Sequence, residues 1–399
     1  MPPTLQILDA LRSLLPADRI SEREGKPTAT PHTTEEVATV TRYAHANQLA
    51  IEMLGAGTKR GWGNPVSADI LLDTTRLTGV RQHSWQDLTA TVGAGATWAD
   101  LQHALAAHNQ QVALDPLWPE TATVGGILAT NDSGPMRLKY GSLRDLVIGM
   151  TIVLADGTIA HSGGKVVKNV AGYDLHKLMI GAFGTLGVIT EVTFRLHPIP
   201  AATRIWTISS PDSVPIGKLM LKVLNSQLAP QAMQLRANAE GYALDVELTS
   251  LPEVLAQQIT SLNQLATTIP GLHASQSVDS FAVRQQLFAD SGGVLVKITV
   301  LPSDISTLSA LVVSLGGSAV TQATGIAFAR FPEDIEDDNL QALGAFLHLT
   351  EVGRLIILRA PQPVIQEWCQ GKLLQIEYEI KRQFDPNGVL NPGRMRSGI

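Results

Sequence analysis

A strand signal that runs straight into a glycine-rich loop constrains this chain more than any other feature. Ile51-Glu52-Met53-Leu54 is an apolar run of strand character, and L-G-A-G-T-K-R-G-W-G follows from Leu54 to Gly63. Glycine tolerates positive φ and lets the backbone approach another group closely. Successive amides turned inward form a nest for an anion such as a pyrophosphate. The loop therefore points either to a nucleotide cofactor or to a plain glycine-rich turn. Its spacing excludes two common phosphate loops. The fingerprint G-x-G-x-x-G requires glycine at position 60, where Arg60 stands. A Walker A loop, G-x-x-x-x-G-K-[ST], fits neither Gly57-Thr58-Lys59 nor Gly164-Lys165-Val166.

Two further clusters weigh against a simple turn. Thr121-Ala122-Thr123-Val124-Gly125-Gly126 runs on to Asn131-Asp132-Ser133-Gly134. Small hydroxyl residues beside paired glycines suit a flat polar ring such as an isoalloxazine, which has a carbonyl edge, an apolar face and ribityl hydroxyls. A glycine-rich helix start without a ligand is the alternative. A third cluster, Gly181-Ala182-Phe183-Gly184-Thr185-Leu186-Gly187, enters a strand at Val188–Phe194.

With 399 residues, 44% of them apolar and 17% charged, the chain can bury a large core, and two domains are expected. A net charge of -6 without a basic stretch argues against nucleic acid as a partner. Cys369 is the only cysteine, which excludes a disulfide, iron–sulfur cluster or cysteine-rich zinc site within the chain and fits a reducing compartment. No metal-ligand spacing is present. The opening M-P-P-T-L-Q-I-L-D-A-L-R-S-L-L is amphipathic and broken by Asp9 and Arg12, unlike a secretory signal. No run approaches the roughly 20 apolar residues of a membrane span. A cytoplasmic protein is expected, peripheral at the inner face of the plasma membrane only through partners.

The first half alternates strand and helix signals. Thr33-Thr34-Glu35-Glu36 is a capping box, and Val37, Val40, Thr41 and Ala44 fall on one helical face. Ile70-Leu71-Leu72 reads as a strand, Leu88 to Val92 alternates polar and apolar, and Thr97 with Asp100 caps a further helix. The fold class is α+β. In the second half, strand signals at Met233–Arg236, Leu244–Leu248, Val294–Leu301, Ile326–Phe331 and Leu355–Leu358 alternate with helices, which suits an antiparallel sheet backed by helices.

Several motifs read together carry a resemblance. G-A-G-T-K-x-G at 55–61, T-A-T-V-G-G at 121–126, Y-G-S-L-R-D at 140–145, K-N-V-A-G-Y-D-L-H-K-L at 168–178 and G-T-L-G-V-I-T-E at 184–191 resemble the FAD-binding domains of the vanillyl-alcohol oxidase superfamily, the PCMH type. Within it, the chain is similar to the FAD-binding subunits of bacterial glycolate oxidases (glycolate dehydrogenases). V-G-R-L-I-I-L-R-A-P at 352–361 and F-D-P-N-G-V-L-N-P-G-R at 384–394 extend the resemblance to nearly the whole chain, weakest from about 206 to 320.

The resemblance implies a PCMH-type two-subdomain FAD-binding domain over residues 1–205. An α+β cap domain with an antiparallel sheet follows over 206–375, and a C-terminal segment over 376–399 returns to the FAD domain. It assigns Gly55, Ala56, Gly57, Thr58, Lys59 and Gly61 to the FAD pyrophosphate, mainly through backbone amides. Lys59 or Arg60 adds charge there, or is a solvated loop cation. Thr121, Thr123, Gly125 and Gly126 line the flavin and its ribityl chain, with Asn131 and Gly134 close behind, and Ile189 meets the adenine side. Ala56 stands where many relatives have glycine, and its methyl fits while that residue keeps negative φ. The loop has no histidine, and Cys369 lies in the far half, so noncovalent FAD is expected.

The catalytic residues are not legible. Oxidising a 2-hydroxy acid requires a base, a cation for the carboxylate and the flavin as hydride acceptor. Catalytic relatives carry an H-x-G-D-G-N-like segment in the cap, and none occurs here. Arg330, Arg354, Arg359 and Arg394 are candidate carboxylate clamps or structural ion-pair partners; His273 and His348 stand alone. Asp174 reads as a cap or as a partner of Lys177, and Arg144 and Asp145 as a structural pair. Three readings stay open. The first is an FAD subunit of a glycolate-oxidising complex, beside a catalytic FAD subunit and an iron–sulfur subunit, that makes glyoxylate and passes electrons onward. The second is a self-sufficient FAD dehydrogenase of another hydroxy acid or alcohol. The third is a flavin-binding assembly subunit without catalysis of its own.

Overall fold

The computed structural model describes residues 4–164, 173–277, 280–289, 292–333, 335, 337–350, 353–360 and 375–395. Residues 165–172, which include the first five positions of the K-N-V-A-G-Y-D-L-H-K-L motif at 168–178, and Cys369 lie outside them. The chain packs as two units. The first takes the described residues of Met1–Ser133, Ser142–Ile199 and Cys369–Ile399, and the second those of Gly134–Gly141 and Pro200–Trp368.

The first unit begins with helix α1 (Thr4–Leu14) and the antiparallel hairpin of β1 (Ile20–Arg23) and β2 (Lys26–Ala29). Helix α2 (Thr34–Ala46) then crosses to β3 (Ile51–Leu54), and β4 (Ile70–Asp73) pairs in parallel with both β2 and β3, giving the order β1-β2-β4-β3. Half of the capping box expected from the sequence forms. Thr33 Oγ1 accepts the amide of Glu36 at 3.2 Å, and the Glu36 carboxylate reaches back one residue further, to the amide of His32 at 2.6 Å. Val37, Val40 and Ala44 are fully buried against Leu11, Ile51, Ile70 and Leu72, which form one apolar core. Strand β3 also gains a partner on its outer side. Ile51 donates its amide to Val389 O at 2.7 Å and accepts from the amide of Asn391 at 2.9 Å, so the C-terminal segment runs beside it in parallel.

Strands β5 (Val80–Ser84), β6 (Thr89–Gly93), β7 (Gln110–Gln111), β8 (Val147–Val153), β9 (Ile159–Gly163), β10 (Val188–Arg195) and β11 (His197–Pro198) follow. All but β7 and β11, which pair as a short ribbon, form an antiparallel sheet in the order β5-β6-β10-β8-β9. Helix α3 (Trp98–Ala106), capped by Thr97, buries Trp98 edge-on against Phe194 of β10. Helix α4 (Val124–Thr130) starts at its cap, Thr123.

The second unit is built on one antiparallel sheet. Its strands are β12 (Ala202–Ser210), β13 (Ala232–Asn238), β14 (Gly241–Ser250), β15 (His273–Ser277), β16 (Val294–Thr299), β17 (Ser318–Gln322), β18 (Ile326–Phe331) and β19 (Arg354–Arg359). They run in the order β15-β12-β14-β13-β17-β18-β16-β19. Ile208, Leu244, Leu235 and Ala327 alternate onto one face and pack with helices Ser213–Leu224, Pro252–Thr267 and Ile305–Ser314. The register places Thr207, Asp245, Gln234 and Gln322 side by side on the other face. Asp245 is fully buried there, accepting from Thr207, from Gln234 and, through both oxygens, from Arg236.

Glu247, next on that face, has a testable cost. Burial pushes its carboxyl pKa up, while the Gln231 amide, 2.5 Å away, and Lys139 pull it down. With the folded pKa above the unfolded one, the unfolded chain ionises first as pH rises. The contribution to stability is therefore whole below the unfolded pKa and is lost as pH climbs through the folded one. Glu247→Gln keeps the size and the contact to Gln231. It is expected to raise Tm near neutral pH, each kcal/mol recovered adding about 2–4 °C, and to add nothing at about pH 4 or below, where the native carboxyl is protonated in both states. A Tm profile against pH for both chains checks it.

Candidate functional site

Flanked by β4 on one side and the C-terminal segment on the other, β3 delivers the glycine loop to a fixed place. Gly55 must be bare because of a close approach: a Cβ there would lie 2.3 Å from Thr123 Oγ1. That hydroxyl is engaged as the cap of α4, accepting the amide of Gly126 at 3.3 Å. Gly57 is required for its conformation instead, since its φ is +76° and nothing lies within 4 Å of a Cβ. Ala56 is not among the residues with positive φ, so its methyl is accommodated.

One cleft in the first unit gathers the glycine clusters. Gly55, Ala56, Gly57, Thr58, Lys59, Thr123, Gly125, Gly126 and Ile189 line it together, joined by Met53, Thr74, Thr130, Phe183, Asn391 and Arg394. Four expected positions do not line it. Gly61 faces open space without positive φ. Thr121 is exposed in a turn, its amide bonded to Trp118 O. Asn131 ends α4 in the left-handed conformation, where its Cβ side packs against Gly181. Gly134 belongs to the second unit.

Among the described residues, Lys59, Arg60 and Arg394 line the cleft, and no carboxylate does. Both loop cations are ion-paired. Lys59 is 6% exposed, its ammonium 3.2 Å from the buried carboxylate of Asp132 and 5.2 Å from the centre of the Trp118 ring. Arg60 reaches two carboxylates, Glu52 at 2.8 Å and Glu24 at 2.6 Å, which hold its guanidinium pKa well above the usual range. Arg394 is buried, and burial lowers its pKa, with the charge of Glu52 acting in the opposite direction.

Asn391 and Arg394 escaped sequence reasoning as cofactor-site residues. Asn391 accepts the Met53 amide at 2.9 Å and donates to Phe183 O at 2.7 Å, so one side chain ties β3 to the third glycine cluster. The only sequence signal was the closing N-P-G-R. Arg394, read as a possible carboxylate clamp, lies instead at the glycine loop. Asp174 does pair with Lys177. Arg144 and Asp145 do not pair: Asp145 accepts from Ser142, and Arg144 donates to the carbonyls of Lys177 and Ile180. Arg330 lines a separate groove of the second unit with Arg236, and His273 stands exposed at that groove. Arg354 is exposed at the start of β19, Arg359 ends that strand, and His348 is exposed near a helix end.

The comparisons with known proteins agree with this geometry. A family model described as an FAD binding domain matches residues 26–163. The chain is similar to the glycolate oxidase subunit GlcE of Escherichia coli, 29% identical over 88% of this chain and 94% of that one. Its fold is similar to that of p-cresol methylhydroxylase, with a TM-score of 0.77 at 15% identity, covering 98% of this chain and 96% of that one. Residues 26–163 thus match an FAD binding domain, and the fold is of the PCMH type. The α+β architecture of both units is that of the PCMH type. D-lactate dehydrogenase of Archaeoglobus fulgidus is 36% identical over 51% of this chain and 46% of that one. Glycolate oxidase subunit GlcD of Bacillus subtilis is 35% identical over 43% and 36%. The chain thus spans less than half the length of those two relatives.

The cleft fits the cofactor that a PCMH-type chain implies. A loop bare of a Cβ at Gly55 where α4 approaches, left-handed glycines at 57 and 184, and a lining without a carboxylate among the described residues match a diphosphate and a flat ring.

Proposed function

We propose that this chain is the FAD-binding subunit of a glycolate-oxidising complex. Glycolate, a small 2-hydroxy acid, becomes glyoxylate in the complex, beside a catalytic FAD subunit and an iron–sulfur subunit that pass electrons to an acceptor. The observation that supports the reading is the cleft that brings together the glycine loop, the start of α4 and the buried Arg394, with no carboxylate in its lining among the described residues. The likeness to GlcE, which extends over most of both chains, supports the complex.

In this reading residues 1–205 bind the cofactor, 206–375 form the cap and 376–399 return to the FAD domain. Gly55 to Thr58 hold the diphosphate through their amides, Thr123, Gly125 and Gly126 face the flavin and its ribityl chain, and Ile189 borders the adenine. Bound FAD supplies a hydride acceptor. The chain's own residues bind it, orient it and keep water from its diphosphate. The FAD is noncovalent, since no histidine, cysteine or tyrosine lines the cleft among the described residues. The protein works in the cytoplasm and meets the membrane through its partners; no described helix is long and apolar enough to cross one. The D-lactate dehydrogenase relative favours a second reading, a self-sufficient dehydrogenase of another hydroxy acid.

One preparation tests both. Purified alone, the chain is expected to be yellow, to release all its flavin as FAD on acid precipitation, and to stay oxidised when glycolate is added. Bleaching by glycolate is expected only with both partner subunits present. Bleaching of the lone chain overturns the assisting role, and flavin that stays with the precipitate overturns noncovalent binding. A colourless chain that FAD cannot reconstitute sinks both readings.

A further inference from the structure

Of the three cations in the cleft, two are already neutralised. Lys59 faces Asp132, and Arg60 faces Glu24 and Glu52. Arg394 is different. It is 8% exposed, and among the described residues no carboxylate lies within 4.0 Å of it. Its guanidinium donates to Arg60 O at 2.5 Å and to Asn64 O at 3.4 Å, both in the glycine loop. The backbone around it is clamped to the same loop. Asn64 donates its amide to Arg394 O at 3.0 Å and its side chain to Gly393 O at 3.1 Å, and a Cβ on Gly63 would meet Arg394 O at 2.7 Å.

A buried cation hydrogen-bonded to carbonyls, with no carboxylate in contact among the described residues, is costly until an anion joins it. A guanidinium fork matches phosphate oxygens and keeps its charge. Resting on the FAD reading of the cleft, we propose that Arg394 is the cation that neutralises the cofactor's diphosphate. The C-terminal segment carries it to the loop, and Lys59 and Arg60 serve as internal staples of that loop.

The full chain, stripped of flavin, is titrated with FAD, ADP and riboflavin as wild type, Arg394→Gln and Arg394→Lys. Arg394→Gln is expected to weaken FAD and ADP by a common factor of roughly 10–100, as for loss of a charged hydrogen-bond partner. Riboflavin, which lacks phosphate, should bind as to wild type. Arg394→Lys, which keeps the charge, should retain more affinity than Arg394→Gln, and the salt dependence of FAD binding should shrink in Arg394→Gln alone. FAD affinity unchanged in Arg394→Gln overturns the assignment. So does a parallel fall for riboflavin, which would mark Arg394 as a staple of the loop. A wild-type chain that binds none of the three ligands removes the FAD reading, and the role of Arg394 with it.

Discussion

Asp385→Ala is expected to destabilise the first unit by about 3–5 kcal/mol, the range for breaking a buried ion pair from one side. Asp385 has a fully buried side chain, and its partner Lys381, in helix Gln375–Phe384, is 9% exposed at the side chain. The ammonium donates to Asp385 at 2.6 Å, to Thr185 O at 2.7 Å and to Leu390 O at 3.1 Å. The carboxylate also accepts the amides of Val389 and Leu390. Its loss leaves a buried cation and two unsatisfied donors in the segment that flanks β3.

Burial lowers the Lys381 pKa, and Asp385 is the group that opposes this. Without Asp385 the folded pKa falls further below the unfolded one. The unfolded chain then holds the proton more firmly as pH rises through the folded pKa toward the ordinary lysine range, and stability is regained over that alkaline window. Denaturant midpoints measured against pH in both chains check this. A variant as stable as wild type near neutral pH would mean that the pair contributes nothing net.

Gly55→Ala should lose FAD binding at least about tenfold and destabilise the chain by about 1–3 kcal/mol, the usual cost of overpacking. The new methyl would stand 2.3 Å from Thr123 Oγ1. Either the loop moves or the Thr123 hydroxyl leaves its capping bond, and a lost cap alone costs about 1 kcal/mol. Because the clash is with one oxygen, Gly55→Ala combined with Thr123→Ala should recover part of the flavin occupancy. Gly61→Ala, with nothing within 4 Å and ordinary φ, should leave both properties unchanged. Tm and flavin absorbance per chain measure the series. Equal losses at Gly61 and Gly55 would count against the close approach of α4 as the cause.

What the sequence revealed was local. The caps at Thr33 and Thr97, the strand into the glycine loop and the three glycine clusters depend on residues a few positions apart. The second half was less legible for the same reason. His273–Ser277 and Ser318–Gln322 have little apolar content, and they are strands because they pair with β12 and with β13 and β18. Strand β12 begins at Ala202, ahead of the break expected at 205–206, and Thr203 and Arg204 near its start are polar; pairing with β14 makes it a strand. In the site, nothing near Lys59 announced that Asp132 would bury it. Asn391 and Arg394 meet the loop across more than 300 residues of chain, a separation that no periodicity or spacing encodes.

Arg60 and Arg394 touch across a separation of 334 residues. At a synthesis rate of ~5–20 residues per second, the loop waits roughly 20–70 s for that wall. The whole second unit, Gly134–Gly141 and Pro200–Trp368, is made in the interval. A nascent chain thus displays its glycine loop long before it can close on a nucleotide. The wall that Asn391 and Arg394 add is therefore the last part of the cleft to be made, after every other residue that lines it.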